Sequence, residues 1–474
     1  MSNSKRLHPI AAVSGTLKQL KEMLLPFIFL VVFGSKGTNW DLYISIGAVV
    51  IILISGILSW LRFSYRIEER ELRIEYGVYI KKKRYIPFEK IQSIDLSEGI
   101  LHRPFGLVKV KVETAGSGLE AEAVLSAVTK QEAQRIQEVF SLIKKGEKQR
   151  EEDERAEEVD TEEIIYKITT PQLFLLASSS GGVGVVISAV AAFVSQFDEI
   201  IPYRKIFRGL ENFISSGIMV VSFMVFLGFV IAWLIALTGT MIKYAQFTVK
   251  KVENEFIISR GLLEKRQLTI PLHRIQAIRI SENLLRQPIG YASVFVESAG
   301  GSVKNQESSK ILFLPIVKKS SIPQLLESFL PDYQLQPQIS PAPKRALKRY
   351  LFCSSLFAIP ITLAAIIFFR PYGYFSLLFL LIVTIWSYFN YKDAGWGLNE
   401  MQLTLRYRFL IKHTVMMQKN KIQSMEFQTG YFQNQRDLAT IRAVVGSGVG
   451  GIVVDLEKTE VEKAFKWYSH SRKE

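Results

Sequence analysis

Long apolar runs alternate with short two-periodic stretches along this chain, and they do so three times. The apolar runs come in pairs: Met23 to Gly34 with Leu42 to Leu61, Leu173 to Val194 with Phe213 to Leu237, and Leu351 to Phe369 with Tyr372 to Phe389. Several approach the roughly 20 residues a helix needs to cross a bilayer, so each pair predicts a helical membrane hairpin. The first run is short and reaches that length only from about Leu17, with Lys18 and Lys21 extending to the interface. Behind the first pair the apolar period falls to two. Leu72, Ile74 and Tyr76 alternate with Glu71, Arg73 and Glu75, which predicts strands.

The stretch Gly77 to Gly116 recurs without insertion or deletion as Gly261 to Gly300, with 17 of 40 positions identical. Gly77, Pro87, Gln92, Pro104 and Gly106 fall on Gly261, Pro271, Gln276, Pro288 and Gly290. A weaker third copy is anchored by Ile422 and Gln423, with Arg408 in the place of Gly77 and Gln418 in that of Pro87. One supersecondary design used repeatedly fixes the domain plan. Gly77 suits a turn of positive φ, and Pro87 and Pro271 suit the opening of a strand. Each copy closes with a capping-box signal, Thr129 with Glu132, Ser321 with Gln324 and Thr459 with Glu462, ahead of an amphipathic helix.

The expected fold is a multi-domain membrane protein: six transmembrane α-helices in three hairpins, each hairpin followed by a cytoplasmic β-barrel or sandwich capped by a C-terminal α-helix. The boundaries read as hairpin 17–61, domain 62–145, charged linker 146–163, hairpin 171–239, domain 243–331, Pro-rich linker 332–345, hairpin 349–389 and domain 391–470. With a membrane hairpin directly ahead of it, the signature Gly77, Ile86-Pro87, Ile91-Gln92 and Pro104-Phe105-Gly106 resembles the membrane-flanked bacterial pleckstrin-homology-like domain family, long a domain of unknown function. The resemblance covers essentially the whole chain, and the third copy departs from it by lacking the proline and glycine. It implies a pleckstrin-homology-like fold, a cell-membrane location, oligomerisation, and roles in envelope stress or antimicrobial resistance.

Charge sets the orientation. The chain carries 59 basic and 44 acidic residues, a formal net charge of +15. Lys18, Lys21, Arg62, Arg66, Lys243, Lys344, Arg345, Lys348, Arg349 and Lys392 flank the hairpins on the side of the repeats, which places both termini and all repeats in the cytoplasm. Anionic membrane lipid is the expected surface partner. Nucleic acid is not expected, because no basic run is interleaved with exposed aromatics. The patch Lys81 to Arg84 has Leu268 at its last position in the second copy, which argues against a dedicated headgroup site.

Catalytic chemistry is not expected. The single Cys353 allows neither a disulfide framework nor a thiolate metal site, and the five histidines show no ligand spacing. No span carries a central acidic residue. The small-residue run Ser178 to Gly184 lacks the lysine of a phosphate loop and fits helix packing. No cofactor or metal is expected. The alternative to a binding and assembly role is a lipid-handling or export component with a path through the spans.

The glutamines carry the finest reading. On a strand Gln92 shares a face with Ile94 and Leu96, Gln276 with Ile278 and Ile280, and Gln423 with Met425 and Phe427, so each is expected to face the core. Replacing Gln276 with Leu is then expected to cost about 1–3 kcal/mol. Ile91, Ile275 and Ile422 land on the opposite face, which marks either a bulge or a packed interface. As interface residues they would meet a second copy or a smaller membrane protein of the same family, and lysine at all three would break that association.

Overall fold

The structure is a computed structural model and describes residues 4–33, 40–68, 70–78, 80–114, 123–148, 163–180, 218–298, 310–370 and 372–469. Two compact units result, Met1–Thr269 and Ile270–Glu474.

Every repeat builds four strands, then three, then a helix. The first has β1 (Lys5–Arg6), β2 (Ser64–Glu68), β3 (Glu71–Tyr76) and β4 (Lys82–Pro87), followed by β5 (Ile91–Glu98), β6 (Leu107–Thr114) and β7 (Ala123–Thr129). The second has β8 (Glu163–Lys167), β9 (Thr248–Val252), β10 (Glu255–Arg260) and β11 (Lys265–Pro271), which belong to the first unit as far as Thr269. Its β12 (Ile275–Glu282), β13 (Tyr291–Ser298) and β14 (Lys310–Lys318) belong to the second. The third has β15 (Ser340–Pro341), β16 (Gly395–Leu398), β17 (Gln402–Arg408) and β18 (Lys412–Gln418), then β19 (Ile422–Gln428), β20 (Leu438–Val445) and β21 (Gly450–Glu457).

The first strand of each repeat precedes its hairpin. β1 pairs with β2, β8 with β9 and β15 with β16, so the apolar helices are inserted into the first sheet rather than placed ahead of it. Helices α1 (Ile10–Phe33) and α2 (Trp40–Leu61) lie between β1 and β2. Backbone and side-chain bonds clasp each insertion at its base: Trp60 Nε1 donates to Leu7 O at 2.8 Å, Ile168 N to Phe247 O at 2.9 Å, and Ala342 N to Ala394 O at 3.1 Å. Ser340–Pro341 falls inside the stretch read from sequence as a linker, because two residues are too few to show a period.

The first core holds Leu72, Ile86, Phe88, Leu107, Leu125 and Ile136. Its capping helix α3 (Lys130–Lys148) lays Val139, Phe140 and Ile143 against that core, with Glu132 N bonded to Thr129 Oγ1 at 3.3 Å. Helix α4 (Thr170–Ser178) opens the second hairpin and α5 (Ile218–Tyr244) ends it. The rest of the third expected span, most of the small-residue run, Gly116 and Gly300 lie outside the described residues. The second repeat ends in α6 (Ile322–Leu326), and the third hairpin is α7 (Ala346–Phe368) with α8 (Ser376–Asp393). The cap of the third repeat is α9 (Lys458–Ser469), which buries Val461 and Ala464. Among the described residues, Phe226–Tyr244, Ala346–Phe368 and Tyr372–Asp393 are long and apolar enough to cross a membrane.

The turn glycines are required. Gly77 and Gly261 have φ of +115° and +104°, and an added Cβ would lie 2.0 Å from the carbonyl oxygens of Ile80 and Glu264. Arg408, at the matching position, is not among the positive-φ residues and is the last residue of β17. Gly106 and Gly290 also adopt positive φ. Pro87 and Pro271 differ from expectation: they close β4 and β11 and lead into 3₁₀ turns, since a residue without a backbone donor ends a ladder as well as it opens one. Pro104 lies in such a turn before Gly106, and Pro288 in the turn before Gly290.

Candidate assembly surface

A bulge at each glutamine reorganises the faces predicted from alternation. Ile91 lies opposite Thr114 but Ser93 opposite Glu113, and the same one-residue slip occurs at Ile275/Ala277 and Ile422/Ser424. The extra residue is Gln92, Gln276 or Gln423. The isoleucines therefore turn inward: Ile91, Ile275 and Ile422 are all buried. They are core residues, not an exposed interface, and lysine there would unfold the domains. The glutamines do not face the core. Gln276 is half-buried and Gln423 exposed, while the side chain of Gln92 lies outside the described residues. Gln276 Nε2 makes one long bond, 3.4 Å to Arg274 O. Gln276→Leu is accordingly expected to cost less than about 1 kcal/mol, read from the chemical-denaturation midpoint of the full chain, because little hydrogen bonding is lost.

The larger finding is lateral. The strand orders β7-β6-β5-β11-β10-β9-β8 and β14-β13-β12-β18-β17-β16-β15 each join the last three strands of one repeat to the first four of the next. In the first unit Glu98, Ser97 and Leu96 lie opposite Lys265, Arg266 and Gln267. In the second, Ala277 through Glu282 lie opposite Met417 through Lys412. The repeat relation maps Glu98 onto Glu282 and Lys265 onto Lys412, so both junctions use one register and the same acid–base pair. Alternation encodes which face a residue takes, not which strand lies beside it, so the junctions were not read. The recurring glutamate and lysine were the available signal.

Charge is buried at the second junction. Arg279 Nε donates to Glu297 Oε1 at 2.6 Å, and its remaining nitrogens to Tyr407 Oη at 2.7 Å and Gly450 O at 2.9 Å. One guanidinium thus ties the second repeat to two segments of the third. Burial pushes the Glu297 carboxyl above its ordinary range against the pull of Arg279. Glu282 receives Lys319 at 2.9 Å and Lys412 at 3.6 Å, and Lys412 also reaches Asp393 at 3.2 Å, at the end of α8.

His413 lies opposite Ser281, with Nδ1 2.9 Å from its hydroxyl. Burial, aided by the charges of Arg279 and Lys310, pushes its imidazole down to about 3. The unfolded chain, titrating near 6.5, then binds the extra proton first, so junction stability is complete above about pH 6.5 and falls as pH drops toward 3. Hydrogen exchange in 275–282 and 412–418, corrected for intrinsic rates, is expected to accelerate across that window, and less so in His413→Gln.

The basic stretch at β4 is partly neutralised. Lys81 and Lys83 approach Glu75 at 2.7 and 3.6 Å, and the bond from Lys81 holds that carboxyl below the usual range. Among the described residues no group of acidic, histidine or cysteine side chains has the arrangement of a metal site.

Comparison with known proteins gives three matches of the Bacterial PH domain family, at residues 16–142, 190–328 and 354–472. The chain is 38% identical over 491 residues to the UPF0699 transmembrane protein YdbT of Bacillus subtilis (strain 168), spanning 100% of this chain and 99% of that protein. It is also 26% identical over 110 residues, 23% of this chain, to the UPF0699 transmembrane protein YdbS of the same strain, covering 64% of that protein.

Proposed function

This chain belongs to the Bacterial PH domain family and is a membrane protein, and from that premise we propose that it is a non-enzymatic platform whose repeats assemble proteins beneath the bilayer. The observation that carries this reading is the inter-repeat junction, built twice in one register with a matched glutamate and lysine. A fold that docks through its sheet edges is suited to binding strands and domains, not to turnover. A role in envelope stress or antimicrobial resistance rests on the family resemblance. The basic flanks favour an anionic lipid surface. Lipid handling or export through the spans is the second reading, favoured by the apolar helices themselves.

Crosslinking of the full chain in its own membranes tests the proposal: products larger than one chain are expected, and a uniform monomer that moves lipid after reconstitution would transfer support to the second reading. The topology proposed is six spans with cytoplasmic termini. In a Cys353→Ser background, an impermeant thiol reagent applied to intact cells is expected to label Ser195→Cys and to spare Ser471→Cys. The reverse pattern overturns that orientation.

A further inference from the structure

Three repeats present three second-sheet edges, and the chain supplies strands to two of them. β5 takes β11 and β12 takes β18, whereas β19 and β4, the strands that correspond to each side of those junctions, end their sheets among the described residues. We propose that β19 of one copy pairs antiparallel with β4 of a second copy, so that chains join head to tail. This rests on the assembly reading and names its surface. Carrying the common register across the repeats sets Ser424 opposite Ile86, Met425 opposite Tyr85, Glu426 opposite Arg84 and Gln428 opposite Lys82.

Exposure supports the pairing from both sides. Tyr85 is 50% exposed, while its counterpart in the third repeat, Met416, is fully buried opposite Ile278. The strand β12 is buried along nearly its whole length, but its counterpart β19 is mostly exposed. Between β19 and α9 lies an open groove of about 540 Å³ lined by Met425, Phe427 and Phe465, with Glu462 and Lys466 at its polar positions. The register delivers Tyr85 beside Met425 at that groove. A tyrosine fits such a place, its ring on apolar side chains and its hydroxyl at a polar rim.

Charge supplies the direction of docking. Basic residues on an edge strand ordinarily discourage pairing. Here β11 and β18 begin with Lys265 and Lys412 and are paired nonetheless, opposite Glu98 and Glu282. The third repeat has Thr429 at that glutamate position, and Glu426 stands three residues earlier instead, directly opposite Arg84 in the proposed register. An opposite-charge pair facing across two strands favours that register over a slipped one. Because the two surfaces differ, the contact is heterologous and propagates into a ring or an open row.

The test uses full-length chains in membranes in a Cys353→Ser background, one tagged copy carrying Arg84→Cys and a differently tagged copy carrying Glu426→Cys. Both positions are exposed, so folding is preserved. A short bis-maleimide is expected to join the two tags at least tenfold more than it joins either variant to itself. A chain with both substitutions gives a ladder of products, and Glu98→Cys with Lys265→Cys serves as the reactive control within one chain. Equal self-joining, closure solely within one chain, a product that forms only with a smaller relative, or no product while the control reacts would each overturn the proposal. A lysine-directed crosslinker that still joins wild-type copies in that last case leaves the assembly reading intact, and failure of both reagents removes it too.

Discussion

Glu297→Ala lowers the stability of the second unit by about 3–5 kcal/mol, the usual penalty for leaving a buried charge without its partner. Glu297 is fully buried and Arg279 nearly so. With the carboxylate gone, Arg279 retains Tyr407 and Gly450, which are neutral acceptors. Native-state hydrogen exchange of the full protein in detergent reads the effect in β13 and β17. The variant Arg279→Leu with Glu297→Leu is expected to recover much of the loss, because an apolar pair leaves no charge uncompensated. A single-site loss below about 1 kcal/mol would mean that water reaches the guanidinium.

Gly261→Ala has the next largest effect, a loss of about 1–3 kcal/mol from placing a side chain at positive φ, increased by the contact with Glu264 O. The turn it disturbs feeds β11, the strand that docks on β5. Exchange is therefore expected to rise in β5 as well as in β10 and β11. Gly106→Ala is the comparison, since its Cβ would meet nothing within 4 Å and only the backbone conformation is penalised. Equal losses at the two sites would show that the carbonyl contact is relieved by a small shift of the turn.

The two-periodic strands, the turn glycines and the capping helix of the first repeat were legible because each leaves a local mark: a period of two, a residue without a Cβ, a hydroxyl three residues before a glutamate. Ser321 makes no such cap bond, and Thr459 lies inside its helix. The bulge inverted the reading of the isoleucines and glutamines because one inserted residue reverses every later position of an alternating pattern. The phrase Ile-Gln recurs three times for the sake of that insertion, and its recurrence was the clue. Tyr407 and Gly450 of the next repeat, which Arg279 binds, have no trace in the local sequence around it. The strands ahead of the hairpins were missed for a related reason: β15 has two residues and its partner lies more than fifty positions away.

That separation bears on how the chain is made. Ser340–Pro341 leaves the ribosome before α7 and α8, and its partners Gly395 and Trp396 follow only after both helices. In the proposed topology the first sheet of the third repeat cannot close until α7 and α8 have returned the chain to the side from which they departed. A nascent hairpin that stalls part-way leaves β16 without β15 and the Ala342–Ala394 bond unmade. With the hairpin in the bilayer as proposed, membrane insertion and β-domain maturation become one event. In that topology a chain with a misinserted hairpin displays an unfinished sheet to the proteases on the side where its repeats lie.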